Sequence, residues 1–507
     1  MTKMKIINPA TGELIGELNE TPSSQVDTFY QNARNAFSRW SGLSIKERLR
    51  YIENLQYVMV ERMDELVDII VKNTGKVPVD ALVADIMPTL EGIQFVLKHA
   101  ENILSRQKVK TPLLLIGKKS YIEYMPRGVV LVISPWNYPL QLAMVPAISA
   151  LAGGNTVILK PSEVTPLVGW YIEKLFRLSG FPEHVVQVAH GGKETGAAFV
   201  AGDPDYIFFT GSVRTGKIIQ EVAARKLIPT TLELGGKDPF IVFQDANLKR
   251  AAKAAVWGAF TNAGQVCMSA ERVYIEASIY EEFLYLLKQE TEKLVQGTDF
   301  DSDIGAMTYP LQKEIVKKHV LDALEKGAQL IAGIHPEQWD QSLLIPPMIL
   351  TNVDQGMDVV CEETFGPVLP VIPFQTEEEV IRLANLTPYG LNASVWTNDP
   401  QKANRVASQL VSGAVTINEV IVSVANHYLP FGGAKESGIG RYHGKEGLTI
   451  FCHEKAIIYD RGKFNSEIHW YPYQDKYDDF LSLFQSYFAK RRNWIRFLRS
   501  YISLLRK

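Results

Sequence analysis

Gly128-Val-Val-Leu-Val-Ile-Ser-Pro-Trp-Asn-Tyr-Pro139 decides the fold class. Its first six residues are an apolar run rich in β-branched side chains, the composition of a strand buried on both faces. Its last six form a turn around two prolines. A helix is expected over 140–151, and the pattern then repeats. Asn155-Thr-Val-Ile-Leu159 is a strand ending in Lys160-Pro-Ser-Glu163, followed by a helix to about residue 179. Val185-Val-Gln-Val188 is a strand followed by a helix opening at Gly191-Gly192, and Tyr206-Ile-Phe-Phe209 is a strand ending in Thr210-Gly-Ser212. Short apolar strands alternating with helices predict an α/β fold with a doubly wound parallel sheet. Such sheets bind ligands beyond the carboxyl ends of their strands, where Asn137, Lys160 with Glu163, and Gly211 with Ser212 stand.

Working outward, Ile7-Asn-Pro-Ala-Thr-Gly12 is turn-rich and leads into a short strand over 13–18. The segment 23–105 reads as helical: Val26, Phe29, Tyr30, Ala33 and Phe37 recur at helical spacing, as do Leu49, Ile52, Leu55 and Val58. Pro88 marks a break in it. Residues 113–123 have strand-like stretches and form an excursion from the main sheet. Beyond residue 267, strands near Val273 and over 368–372, 393–396 and 414–417 predict a second α/β domain.

A chain of 507 residues exceeds one ordinary core. Its 46% hydrophobic and 21% charged content fit a globular protein. A formal charge of -3 gives no global attraction to nucleic acid. Three cysteines, Cys267, Cys361 and Cys452, lack paired or metal-like spacing, so neither a disulfide framework nor a metal site is expected. The N-terminus has no apolar core of a secretory signal, and no uninterrupted apolar run reaches about 20 residues. A cytoplasmic location is the expectation.

Cys267 lies in Phe260-Thr-Asn-Ala-Gly-Gln-Val-Cys-Met-Ser269, a polar interruption between an Ala-rich helix over 248–260 and a strand over 271–275. A thiol so placed can be aimed into a cleft as a nucleophile, although a free Cys with pKa about 8.5 needs help to ionise. Taken alone, a Cys is more often a small buried hydrophobe. Glu233, in Thr231-Leu-Glu-Leu-Gly-Gly-Lys237, ends an apolar strand, where burial raises a carboxyl toward the range of a general base; a paired structural Glu is the alternative. Asn137 offers a side-chain N–H which, with the Cys267 backbone N–H, could form an oxyanion hole; otherwise it is a turn Asn. Gly211-Ser-Val-Arg-Thr-Gly216 opens a helix directly after a strand and could receive a pyrophosphate, or be a plain turn. Lys160 and Glu163 could bind the adenosine ribose hydroxyls, the carboxylate disfavouring a 2′-phosphate; a solvated ion pair is the other reading. Glu363 and Phe365, in the Gly-Pro turn Glu362-Glu-Thr-Phe-Gly-Pro367, could position a nicotinamide ribose and ring; a turn with exposed acids is the alternative.

Taken together and in order, these stretches resemble the aldehyde dehydrogenase superfamily. The matching motifs are Pro-Trp-Asn-Tyr-Pro (135–139), Lys-Pro-Ser-Glu (160–163), Phe-Thr-Gly-Ser (209–212) with Gly216, Leu-Glu-Leu-Gly-Gly-Lys (232–237), Gly-Gln-Val-Cys (264–267), Glu-Glu-Thr-Phe-Gly-Pro (362–367) and Leu-Pro-Phe-Gly-Gly-x-Lys-x-Ser-Gly-x-Gly-Arg (429–441). The resemblance implies that Cys267 is the nucleophile, Glu233 the general base and Asn137 the oxyanion donor. It implies NAD as cofactor, with NADP as the alternative, held at Trp136, Lys160, Glu163, Gly211, Ser212, Gly216, Glu363 and Phe365. It implies a dinucleotide-binding domain over 1–233 with 108–125 as an oligomerisation excursion, a catalytic domain over 234–430, and a return segment with an oligomerisation strand over 431–460. Relatives that pass the acyl group to coenzyme A tend to lack the carboxylate of Glu233, so hydrolysis to the free acid is expected. A catalytically idle scaffold is the other class of reading, and the intact Cys267, Glu233 and Asn137 set argues against it. Cys361 receives no role.

Asn418-Glu419 and Arg441-Tyr-His-Gly-Lys445 resemble the class 3 and fatty aldehyde dehydrogenase branch, which implies a homodimer. Residues 461–507 form a basic, amphipathic tail. Phe480, Phe484, Tyr487, Trp494, Leu498, Tyr501 and Leu505 read as one helical stripe, with seven Lys and Arg residues and no acid after Asp479. Such a helix suits contact with an anionic membrane surface through 478–507, on the inner face of the membrane. A helix docked on the protein's own surface is the alternative. The tail motivates a lipophilic substrate, a long-chain or carotenoid-type aldehyde, with short or aromatic aldehydes as the alternative.

Overall fold

Strand Val129–Ile133 lies inside a six-stranded sheet of the computed structural model, which describes residues 3–507. Across that sheet the order is Gly438–Ile439, Thr230–Glu233, Tyr206–Thr210, Val129–Ile133, Thr156–Lys160, Val186–Val188. All pairs are parallel except the edge pair, where Gly438 lies antiparallel to Glu233. Leu131 pairs with Ile158 on one side and Ile207 on the other. Successive side chains leave opposite faces of a strand. Accordingly Val130 and Val132 join one core, while Val129 and Leu131 join a second with Tyr30, Phe199 and Ile219. Burial on both faces is why this strand reads as a continuous apolar run. Helix Gln141–Ala152 is buried on every side, so it has no polar face to betray its period.

A seven-stranded sheet holds the second half of the chain. Its order is Gln329–Ala332, Met348–Thr351, Val368–Phe374, Ala270–Glu276, Asp238–Val242, Asn392–Trp396, Ala414–Ile417, parallel except at the Gln329–Ala332 edge. The four strands expected here are present; three more join them. One hydrophobic core runs through both sheets, including Val132 from the first and Ile241 from the second.

The helical reading of 23–105 holds, with short breaks at 42–44 and 75–77 and one departure from α geometry. A π-helical turn, Ala81–Ile86, interrupts it, and helix Met87–Leu104 restarts with Pro88 in its first turn. Proline is tolerated there because that N–H has no helical partner. The wide π turn leaves Leu82, Val83 and Met87 partly exposed, a deformation common at functional sites.

Residues up to Ser105 together with Tyr124–Lys455 form one compact unit; Arg106–Glu123 with Ala456–Lys507 form a second. A three-stranded sheet has the order Cys452–Tyr459, Lys119–Pro126, Gln107–Val109. The expected excursion strand starts only at Lys119, because Leu113–Leu115 is a 3-10 turn. The tail is not one helix. Helices Tyr477–Phe488 and Trp494–Leu505 form a hairpin that buries Leu483, Phe497 and Leu504. The break falls at 489–493, where Asn493 accepts from the Arg496 N–H at 3.0 Å and caps the second helix. Among the described residues no helix is long and apolar enough to cross a membrane.

Candidate active site

Helix Leu248–Phe260 stops as expected, and the chain reaches Cys267 through three left-handed residues, Asn262, Ala263 and Gly264 (φ 51°, 55° and 73°). Two of these are not glycine, and such strain persists only where neighbours over-determine it. Here Asp80 accepts from the Asn262 N–H at 3.0 Å and from the Thr261 hydroxyl at 3.2 Å. Gly264 is required sterically, since a Cβ would lie 2.2 Å from the Gly366 carbonyl oxygen. The half-buried Cys267 thiol then faces two cavities.

The first cavity, about 250 Å3, is lined by Trp136, Asn137, Gly211, Ser212, Glu233, Cys267, Glu363 and Phe365. Eight of the eleven residues singled out from the sequence thus share one space. Lys160, Glu163 and Gly216 do not line it. Lys160 ends its strand buried and donates to Glu163 at 2.9 Å, while Gly216 packs against Leu234, where a Cβ would approach to 2.6 Å. Ser212 caps helix Val213–Arg225, accepting from the Thr215 N–H at 3.4 Å. The second cavity, about 160 Å3, has aliphatic and aromatic walls including Val83, Met87, Leu142, Trp257, Ile421 and Phe431. Ile421 is held at φ 65°, an uncommon conformation for a β-branched residue. Both cavities include Cys267 and Glu233 in their walls, so the sulfur and the carboxylate stand where a polar space meets an apolar one.

Glu233 is 3% exposed, and neither carboxylate oxygen has a hydrogen-bond partner. Burial pushes its pKa well above the carboxylate range, against the opposing charge of Arg441. Burial also pushes the Cys267 thiol up, reinforced by the carboxyls of Glu363, Asp238 and Glu233. Such a thiol is neutral until a neighbour takes its proton. Glu363 accepts from the Gly236 N–H at 3.2 Å, and burial together with Glu271 pushes its pKa up to about 8. Phe365 (φ 50°) stands edge-on to Trp136 with ring centres 5.5 Å apart, and its N–H is held by Glu271 at 3.0 Å. The buried Lys237 donates to Glu271 at 2.5 Å, so this ion pair fixes the Phe365 turn.

Asn137 is buried, and its side-chain amide donates to the Gln265 carbonyl at 3.0 Å, tying it to the cysteine loop. Behind it lies a network that reasoning from sequence missed. Lys76, fully buried, donates to the Asn137 backbone carbonyl at 2.8 Å and sits 3.6 Å from the buried Asp85. Asp85 accepts from the Gln141 N–H at 2.7 Å, and Asn262 donates to the carbonyls of both Asn137 and Gln265. The available signal was three charges, Lys76, Asp80 and Asp85, in an otherwise apolar helical stretch. Charges there are rarely buried unless paired.

Comparison with known proteins is consistent with this geometry. The aldehyde dehydrogenase family model matches residues 1–457. The 4,4'-diapolycopene aldehyde oxidase of Methylomonas is 41% identical over 93% of this chain and 89% of its own length. The 4,4'-diaponeurosporen-aldehyde dehydrogenase of Staphylococcus aureus is 32% identical over 91% of this chain and 99% of its own. Among solved structures, an NAD+ complex of an aldehyde dehydrogenase from Bacillus cereus superposes with TM-score 0.86 at 34% identity, covering 91% of this chain and 94% of that one.

Proposed function

Because this chain belongs to the aldehyde dehydrogenase family, we propose that it oxidises a lipophilic aldehyde to the carboxylic acid through a covalent intermediate on Cys267. The observation that carries this reading is the meeting of a polar and an apolar cavity at the Cys267 thiol and the Glu233 carboxyl. The apolar cavity takes the hydrocarbon body of the substrate, and the polar one takes the cofactor. The residues present fit a dinucleotide. Ser212 opens a helix at a strand end, the Glu163 carboxylate is exposed beside Lys160, and the carboxyl of Glu363 and the Trp136–Phe365 pair line the polar cavity. NAD is the cofactor in this reading, NADP the alternative, and when bound it supplies the acceptor for hydride leaving the substrate carbon. The lobe built on the six-stranded sheet is the dinucleotide-binding domain and the lobe on the seven-stranded sheet the catalytic one.

The chain's own residues supply the rest. Glu233, a carboxylate of raised proton affinity, takes the thiol proton, and the Cys267 sulfur bonds to the aldehyde carbon. The Asn137 amide and the Cys267 backbone N–H hold the oxyanion, a donor pair of which each member contributes about 3–4 kcal/mol to the transition state. Loss of hydride from the tetrahedral adduct leaves a thioester on Cys267. Glu233 gives the thiol proton up to solvent, then takes one from water as the hydroxyl adds to the thioester carbon; collapse of that adduct frees the acid and the Cys267 thiolate, which takes the proton back from Glu233. Lys76 is a positioning residue, since it fixes the peptide that carries Asn137. Lys76→Met should lower kcat/KM about 10²-fold, the cost of a donor displaced by about 1 Å. In a double-mutant cycle it should add little to the loss already caused by Asn137→Ala.

The substrate is a long-chain or polyene aldehyde. The apolar walls support this, as do the two relatives named for carotenoid aldehydes. A series of straight-chain aldehydes tests it. Each buried CH2 contributes about 0.8 kcal/mol, so kcat/KM should rise about fourfold per carbon until the cavity is filled. A flat or falling series would favour short substrates. A requirement for coenzyme A in product formation would replace hydrolysis by thiol transfer. In this reading the protein is cytoplasmic, forms a homodimer through the sheet containing Lys119–Pro126 and Cys452–Tyr459, and touches the inner face of the membrane through 478–507.

A further inference from the structure

The hairpin has two different sides. Its helices run antiparallel, because Arg496 donates to Ser482 and Gln485, Ser500 to Ser482, and Ser503 and Lys507 to Asp479. These polar contacts stitch one side. On the first helix Tyr477, Leu481, Phe484 and Phe488 recur at steps of four, three and four residues, and all are exposed, from 43% to 75%. On the second, Ile495, Leu498, Ile502 and Leu505 recur at three, four and three, exposed from 47% to 68%. Each stripe lies roughly a third of a turn past the residues buried between the helices, in the same rotational sense along the chain. In antiparallel helices that places both stripes on the same side of the hairpin, opposite the polar stitching. The result is one continuous apolar face, built from a segment whose own core is already satisfied by Leu483, Phe497 and Leu504.

Around this face the charge is mostly positive, the exposed Asp478 beside Tyr477 lying at the end away from the turn. The turn carries Lys490, Arg491 and Arg492, all exposed, and Arg499 and Arg506 follow the second stripe along its outer border. No acid occurs after Asp479. We propose that this face seats in the interfacial layer of an anionic lipid bilayer, with the aromatic and aliphatic stripes below the headgroups and the basic turn among them. It rests on the reading of 478–507 as the membrane contact and specifies how that contact is made: two short helices lying flat, not one helix inserted. A second copy of this chain is disfavoured as occupant, because its identical cations would be brought against these. Large exposed apolar patches rimmed by charge are the signature of such surfaces.

Flotation of the full-length protein with vesicles tests this. Phosphatidylglycerol-containing vesicles should carry it up, pure phosphatidylcholine vesicles should not, and added salt should release it. Phe488→Ser and Ile495→Ser should each weaken partition about tenfold or more. Replacing Lys490, Arg491 and Arg492 by Gln should weaken it on the order of 10²-fold. Ser503→Ala, on the stitched side, should float like the parent, and all variants should oxidise a short soluble aldehyde at the parental rate. Undiminished flotation of the two apolar variants, with loss only in the charge variant, would leave the membrane contact standing but overturn the seated face. Failure of the parent to float would overturn both. A change in oligomeric state in place of flotation would assign the face to a second copy.

Discussion

Cys267→Ser should stop NADH formation, with a fall in kcat of at least about 10⁴-fold, as loss of a covalent nucleophile does elsewhere. The size of the effect follows from the site. A hydroxyl in this position has a still higher pKa than the thiol, and burial with three nearby carboxyls already holds the thiol neutral. The remaining donors, Asn137 and a backbone N–H, can polarise an aldehyde but form no bond to it. Dinucleotide binding should be unchanged, because serine differs from cysteine by one atom at a single position of the polar cavity's wall. Steady-state NADH absorbance with a long-chain aldehyde measures the first effect, and quenching of intrinsic fluorescence by NAD measures the second. Turnover near the parental rate would remove Cys267 from the mechanism.

Glu233→Gln should lower steady-state turnover by about 10²–10⁴-fold, the usual contribution of a general base. The amide keeps the shape but cannot take a proton. If water activation is the step lost, a burst of NADH no larger than one per site should survive while turnover slows. Because Glu233 also takes the thiol proton, that burst should itself be slower than in the parent. The parental kcat/KM should rise with pH along an acid limb set well above the ordinary carboxylate range, and that limb should vanish in the variant. Stability should move the opposite way. A carboxyl whose pKa is higher folded than unfolded contributes most below its unfolded pKa, about 4.5, and loses that contribution as pH rises through the folded value. Glu233→Gln should therefore melt higher than the parent at alkaline pH, with the gap closing toward pH 4.5. Loss of stability at all pH values would mean that the carboxylate is structural.

These effects rest on residues that were legible before the fold was known, for a physical reason. Strands such as Val129–Ile133 and Tyr206–Thr210 are covered on both faces, so their composition alone declares them. Glu233 and Cys267 are polar groups standing at the ends of apolar segments, an arrangement a sequence displays directly. Lys76 and Asp85 were not legible because their meaning lies in each other and in the Asn137 carbonyl, 61 residues from Lys76. The hairpin was misread for the same reason. Phe484 and Leu498 belong to one continuous helical periodicity until Asn493 is seen to cap a second helix. The apolar cavity draws Val83, Trp257 and Ile421 from three distant segments, and no local pattern joins them.

The account depends on one sulfur carrying the acyl group. Mixing the Glu233→Gln enzyme with NAD and a long-chain aldehyde, quenching in acid and weighing the intact protein and its peptides tests that most directly. The predicted result is one acyl adduct per chain, on the peptide containing Cys267, absent without NAD and absent in Cys267→Ser. An adduct on Cys361 or Cys452, or acid formed with no adduct on any cysteine, would contradict it.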